Sequence, residues 1–355
     1  MNKISFPHIG SYYVVFNYLL KKLTKQEVLI PKKISKETIN LGSKYSPSLV
    51  CSPFKYNLGN FIESLNNGAN ILVQSGGGCR YGYYAPLQEQ ILKDLGYKFE
   101  FVNLMNNNHL SLKKVYKFAK KYNNKINYLN FIYYLFNAFL MILLLDKFEN
   151  YLRLNMAFEK EKGTFKKIHA TYLKELLTPL NTYKILKINI KYYKILKNID
   201  IEKPKNYLKV GLIGELFSLM EPYSSSFIEQ KLIDKKISVY RKTCLTYLLL
   251  TKKFTLHNHI RKCKEYIKYH LGADGTESVY LTKKLSKEKY DGIVHIKSFG
   301  CTPEINAISI MNKISNDEEI PIIYFSFDEE YNETGLDTRL EAFHDMLINK
   351  KHQQH

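Results

Sequence analysis

The chain has 355 residues, a formal net charge of +20, five cysteines and no tryptophan. That length suits two domains, each burying its own core, and five scattered cysteines argue against a secreted disulfide framework, so a reducing cytoplasm is the expected compartment. The positive charge is nearly all lysine, with only five arginines. The arginine forks that dominate base and phosphate recognition are therefore scarce, and no nucleic-acid partner is expected; the excess reads as much as compositional bias as selection for phosphate contacts, with acidic partner proteins favoured over polyanions.

The N-terminal "MNKISFPHIGSYYVVF" lacks an uninterrupted apolar stretch followed by a small-residue cleavage site, so no signal peptide is expected. From residue 1 to about 105, the apolar runs "EVLIP", "SLVCSPF", "ANILVQSGGG" and "KFEFVNL" alternate with helical segments such as "KYNLGNFIESLNNG" and "APLQEQILKDLG". This is the pattern of β-α-β units on a parallel sheet, with Gly96 as the stop signal of the last helix. From about 106 to 206, glycines nearly vanish and lysines interleave with Leu, Ile and Tyr at three- and four-residue spacing, which predicts amphipathic helices with solvated lysine faces. Inside that zone residues 126–145, "INYLNFIYYLFNAFLMILLL", carry no charge and are long enough to span a bilayer. Asn127, Asn130 and Asn137 interrupt the run, so the expectation is a helix buried on most of its circumference, with no membrane partner.

From 207 to 355 the alternation returns in "YLKVGLIGELFSL", "SSSFIEQKLIDKK", "ISVYRKT", "YDGIVHIKSFGCTPE" and "IPIIYFSFDEE", closing on the helical "TRLEAFHDMLIN". The expected architecture is α/β: an N-terminal domain over 1–105, a helical region over 106–206 and a C-terminal domain over 207–355.

In open parallel sheets ligands collect beyond the carboxyl ends of strands. Gly76, Gly77 and Gly78 follow the predicted strand "ANILVQ" and let a ligand approach the backbone closely, presenting Cys79 there. The construction recurs where Gly300 and Cys301 follow "YDGIVHIKSF", and Cys51 follows "SPSLV". Cys244 and Cys263 read instead as structural residues within a strand or helix. Three thiolates from separate loops suit three irons of a [4Fe-4S] cluster whose sulfides take hydrogen bonds from glycine-loop N–H groups. Two other readings stand beside it: zinc held by the same thiolates with His8 or His295, although the closely spaced cysteine pairs of structural zinc sites are missing, and loop cysteines without a ligand. Glu304, in the first turn of the helix after Cys301, is the candidate for proton transfer or for the open iron; a glutamate there also simply complements the helix dipole. Glu215, Glu221 and the serines Ser224, Ser225 and Ser226 follow a strand and read as a ligand-facing loop; equally, the three serines merely cap the following helix.

The runs "CSPFKYNLGN", "GGGCRYGYY", "VGLIGELFSLMEPYSS", "HIKSFGCTPE" and "YFSFDEEYNETGLDTRLEAFHDML", in this order, resemble the 2-hydroxyacyl-CoA dehydratase component family, in particular its D-component-like, CoA-enzyme activase-associated branch. The last run is the most specific. The resemblance implies two flavodoxin-like (Rossmann-like) domains and an oxygen-sensitive [4Fe-4S] cluster held by Cys51, Cys79 and Cys301. It also implies a separate ATP-dependent iron–sulfur activator of the actin-like ATPase fold, which injects one low-potential electron; in the dehydratases a ketyl radical of the acyl-CoA then expels its hydroxyl. Departures are a single chain where the dehydratases pair two related subunits, so a second subunit or second copy is implied, and no feature marking a CoA pocket. Two further roles are a non-catalytic electron carrier or assembly subunit, and a small-molecule reductase related to the double-cubane proteins. Two cubanes with three thiolates each need six cysteines, one more than the chain has.

Overall fold

The computed structural model describes residues 2–76, 79–106, 109–329 and 333–353. They form two compact units: Met1–Leu144 with Ala170–Tyr192, and Leu145–His169 with Tyr193–His355. The helical residues between the two sheets are thus shared out between both units.

The first unit is built on four parallel strands, β1 (Lys3–Ser5), β2 (Glu27–Val28), β3 (Ile71–Gln74) and β4 (Glu100–Asn103), in the order β2-β1-β3-β4. A small antiparallel pair, β5 (Met105–Asn106) and β6 (His109–Leu110), follows. Side chains alternate across a strand, and β3 uses both faces. Ile71 and Val73 pack with Leu20, Leu23, Phe118 and Phe131, while Leu72 joins Phe54, Leu58 and Phe61 of the helix Ser52–Asn66 on the other side. Each such side chain contributes roughly 1.5–3 kcal/mol of burial. That helix crosses Lys36–Tyr45 almost backbone to backbone: a Cβ on Gly59 would lie 1.9 Å from the Thr38 carbonyl oxygen, and one on Gly42 1.8 Å from that of Lys55.

The second unit repeats the plan with β7 (Lys209–Gly214), β8 (Ser238–Tyr240), β9 (Gly292–Ser298) and β10 (Ile322–Phe327), all parallel, in the order β8-β7-β9-β10. In both sheets the first strand lies between the second and third, the flavodoxin-like order, which opens a crevice at the carboxyl ends of the first and third strands. β9 is buried along its whole length. Val294 and Ile296 face Leu336, Leu340 and Phe343 of the terminal helix Glu333–Gln353, and Ile293 faces Val279, Leu285 and Met311. The α/β expectation of two flavodoxin-like parallel-sheet domains holds.

Two expectations are corrected. "SPSLV" forms no strand: the chain leaves Lys36–Tyr45 and turns directly into Ser52–Asn66. Pro47 and Pro53 bracket three apolar residues too few to pair, and Leu49 points into solvent. The long apolar helix Tyr128–Asn155 is not buried on most of its circumference, since only a third of its apolar window is covered. Phe131, Ala138 and Met141 are inside while Leu129, Ile132 and Phe136 are exposed, because the buried side is the one that carries Asn137, whose amide donates to the Tyr18 hydroxyl at 3.0 Å.

Glu149, near the end of that helix, anchors an ion cluster in the second unit. Its carboxylate meets Arg153 at 3.6 Å, His169 at 3.3 Å and Arg241 at 4.0 Å. Burial alone would raise its pKa, but the hydrogen bond from His169 and the charges of His169, Arg153 and Arg241 outweigh it and hold the carboxyl at about 2. A carboxyl whose folded value lies below its ordinary one stabilises the fold above that ordinary value, and the contribution fades as pH falls towards the folded value. Glu149→Gln is expected to cost about 3 kcal/mol at neutral pH by leaving the buried Arg153 charge uncompensated, while Arg241 keeps Glu229 at 3.0 Å. In urea titrations the gap from wild type should stay constant down to about pH 5 and narrow as the pH drops below the ordinary carboxylate range; a gap independent of pH would contradict the ion-pair assignment.

Candidate functional site

In the first unit the chain leaves β3 through Ser75 and Gly76; Gly77 and Gly78 lie outside the described residues. A Cβ on Gly76 would sit 1.9 Å from the Tyr81 ring, so that ring fills the space a side chain would need. Cys79 is exposed and caps the short turn Arg80–Tyr83, its sulfur accepting the Tyr81 N–H at 3.4 Å. The helix Tyr84–Asp94 follows, and the buried Tyr84 hydroxyl meets the Cys51 sulfur. Burial first, then Cys51, and further Cys79 and Tyr81, push the Tyr84 ionisation far upward, so the phenol keeps its proton. Cys51 occupies the N-cap of Ser52–Asn66, with Pro53 in the first turn. Thus Cys51 and Cys79, 28 positions apart in a 355-residue chain, border one neutral phenol.

In the second unit three chain segments converge at the crevice between β7 and β9. Glu215, after Gly214, caps Leu216–Met220; its carboxylate accepts the N–H groups of Phe217 at 2.7 Å and Ser218 at 3.0 Å, and the Ser218 hydroxyl at 2.7 Å. After β9, Phe299 and the half-buried Gly300 form a turn. Cys301 then stands at the N-cap of Thr302–Asp317, where Pro303 again follows in the first turn. The third segment is Asp274, at the start of Gly275–Lys287: Oδ2 accepts the Leu216 N–H at 3.1 Å and Oδ1 takes the Lys252 ammonium. Gly275 permits this approach, since a Cβ there would lie 2.4 Å from the Pro303 carbonyl oxygen.

Behind these loops lies a buried charge cluster. Glu304 is fully buried, and its Oε2 lies 2.7 Å from His295 Nε2, also fully buried; Glu304 Oε1, His295 Nδ1 and the Ser298 hydroxyl have no hydrogen-bond partner among the described residues. Glu277 pairs with Lys242 at 2.8 Å and accepts from the Tyr247 hydroxyl. Lys297 donates to the Ser326 hydroxyl at 2.7 Å and the Phe299 carbonyl at 3.2 Å. One π-helical turn, Tyr247–Thr251, passes into the helix Lys252–Lys262 and sets Tyr247 on Glu277 and Lys252 on Asp274; such turns often mark functional sites.

The electrostatics share one direction. Burial pushes the Cys301 thiol strongly upward, with the negative charges of Glu215 and Glu304 adding to it. Burial, helped by Asp274, lifts Glu215 to about 7 against the hydrogen bonds from Ser218 and Phe217. Burial raises Glu277 and lowers Lys297, the latter opposed by Cys301 and Glu304. A thiolate at Cys301 therefore needs an added positive charge beside it. Among the described residues, no group of three or more His, Cys, Asp or Glu side chains is arranged to hold a metal ion.

The expected site residues thus fall into two sets: Cys51 and Cys79 together beside Tyr84, and Cys301, Gly300 and Glu304 together at the second crevice. Cys51 is presented by a turn rather than by a strand. Cys244 is not inside a strand or helix; it lies in the bend between β8 and the following helix, half-buried, its thiol pushed up to about 12 by burial and then by Asp146. Cys263 is fully buried at the end of Lys252–Lys262, pushed up to about 11 by burial, as a structural cysteine should be. The three serines do not cap with their side chains: Ser224 and Ser225 are buried in the turn Pro222–Ser225, and Ser224 donates to the Glu221 carbonyl at 2.7 Å. Sequence reasoning missed Asp274, Glu277, Lys252 and Lys297. Asp274 had a signal, an Asp-Gly step ahead of an amphipathic run, and Lys297 is a lysine inside the strand run "GIVHIKS".

No protein-family model matches the chain, and no curated protein matches it by sequence.

If Gly275 sets the approach of Asp274, Gly275→Ala should destabilise the protein by about 2 kcal/mol through the clash with Pro303. Gly335→Ala, on the terminal helix where an added Cβ meets no atom of the described residues within 4 Å, should be neutral or stabilising by up to about 1 kcal/mol. Equal urea midpoints for the two variants would contradict the packing assignment.

Proposed function

We propose that the chain is the iron–sulfur, electron-accepting component of a 2-hydroxyacyl-CoA dehydratase-like system in the cytoplasm, supplied with single low-potential electrons by an ATP-dependent activator of the actin-like ATPase fold. Cys51, Cys79 and Cys301 are the proposed thiolate ligands; their assignment to one cluster rests on the resemblance of the motifs around them. The observation that carries the reading is a repeat. Both sheets have the same strand order, and in both the third strand runs out into a cysteine-bearing turn, Cys79 after β3 and Cys301 after β9.

The donor chemistry supports this reading. Cys51 and Cys79 adjoin the same protonated phenol, and Cys301 lies among carboxylates that disfavour a bare thiolate, so a bound cation would relieve the excess of negative charge. A [4Fe-4S] cluster, when bound, supplies one-electron chemistry and an open iron. The chain's own residues have separable tasks. Tyr84 holds a proton beside Cys51. Pro53 and Pro303 start the helices that the two cysteines cap, fixing where the sulfurs leave the backbone. Lys297, fixed by Ser326 and Phe299, supplies buried positive charge near Cys301. Glu304 is the proton-transfer candidate, with one carboxylate oxygen on His295 and the other without a partner among the described residues.

Serine at Cys51, Cys79 or Cys301 is expected to strip most of the iron from anaerobically purified protein, while serine at Cys244 or Cys263 leaves it in place. Iron and acid-labile sulfide assays on the five variants read this directly, and equal loss at all five would sink the ligand assignment.

A further inference from the structure

The first unit exposes an apolar face that its own fold does not use. On the long helix, Leu129, Ile132, Tyr133 and Phe136 are all exposed, Leu129 to 79% and Phe136 to 54%. Their spacing of three, four and seven residues makes one stripe, and no charged residue occurs from 128 to 145. The helix Thr182–Lys197 begins against it: the Thr182 hydroxyl donates to Asn137 Oδ1 at 2.8 Å and to the Tyr133 hydroxyl at 3.1 Å. That second helix adds exposed Tyr183, Leu186 and Ile190, the last at 68%, again on one stripe. Exposed lysines stand with the apolar residues. Lys125 precedes the first helix, Lys184 and Lys187 lie on the second, and the Lys187 ammonium is 5.9 Å from the Tyr183 ring centre.

We propose that this two-helix face docks the protein onto an anionic lipid bilayer surface, departing from the expectation that no membrane is involved. An interfacial anchor combines an apolar stripe, aromatic residues with polar tips and a lysine rim, and it binds through apolar burial plus attraction to anionic headgroups. The tyrosine hydroxyls suit the headgroup layer, and the lysine stems lie along apolar surface with their ammonium groups in water. The helix lies on the bilayer and does not cross it. Its buried side holds Phe131, Asn137 and Met141 in the protein core, and spanning would strip Asn137 from Tyr18 and Thr182. Charge decides against a second copy as the occupant: a twofold contact sets the same patch against itself, bringing two lysine rims together on chains that each carry +20.

Co-sedimentation of the full chain with vesicles tests the proposal and needs no bound cluster, so its outcome is independent of the iron–sulfur reading. The wild type should sediment with phosphatidylcholine–phosphatidylserine vesicles, lose that binding at high salt, and stay in solution with phosphatidylcholine alone. The triple variant Leu129→Ser, Phe136→Ser, Ile190→Ser should bind at least about tenfold more weakly. Lys184→Glu with Lys187→Glu, which leaves every apolar residue in place and guards against misfolding of the triple variant, should weaken binding by about tenfold. Circular dichroism and urea midpoints like those of wild type should accompany both. Absence of wild-type binding to anionic vesicles, or undiminished binding by both variants, overturns the proposal. So does a concentration-dependent dimer in analytical ultracentrifugation that the triple variant abolishes while vesicle binding is absent, which assigns the face to a second copy.

Discussion

The parallel pairing of β7 with β9 is the constraint on which the second unit's chemistry depends. Leu212 stands opposite Val294, Ile213 opposite His295 and Gly214 opposite Ile296, and the ladder continues one step beyond the strand where the Glu215 N–H donates to the Ile296 carbonyl at 2.9 Å. With that register, Glu215 leaves the sheet beside the strand that runs on to Cys301. His295, one strand position from the apolar Val294 and Ile296, takes the face towards Glu304. A one-residue slip would exchange the two faces of β9, moving His295 into the cluster of Val294, Leu336 and Phe343 and leaving Glu304 buried with no partner for either oxygen.

The same pairing explains why so many ionisable groups coexist out of water. Glu215 is satisfied by the start of its own helix, Asp274 by Lys252 and a neighbouring N–H, Glu277 by Lys242 and Tyr247, and Glu304, among the described residues, by His295 alone. Burying an unpaired carboxylate is costly, so the loop geometry and the charge pairing depend on each other. The least satisfied members, Glu304 and His295, are also the most deeply buried, and they sit directly behind Cys301. Buried acid without full compensation agrees with the role proposed for this crevice, a site for a positively charged or proton-exchanging group.

Much of this was legible in the sequence because it depends on period and punctuation. The strand runs "ANILVQ", "KFEFVNL", "KVGLIG" and "GIVHIKS" are apolar, bounded by turns and separated by helical spacing, so the α/β plan could be read from them. Gly96 ends its helix with φ of 85°, as its position suggested. Short elements were not legible: β1 is three residues long and central in its sheet, yet "KIS" carries no periodic signal. "SPSLV" misled because three apolar residues between prolines look like a strand until the turn is seen. The convergence of Asp274 on Glu215 depends on a contact between Gly275 and Pro303, which are distant in sequence, and no local pattern encodes it. The exposed side of the long helix was misjudged for a related reason: composition shows how apolar a helix is, but only packing decides which side is covered.

The central claim is that Cys51, Cys79 and Cys301 serve a cluster, and one measurement addresses it without any substitution: iron and sulfide content, with an EPR spectrum after reduction, on protein purified under strict anaerobiosis. The account predicts about four irons and four sulfides per chain and a reduced-cluster signal. Protein that is metal-free, and remains so after anaerobic reconstitution, would contradict it.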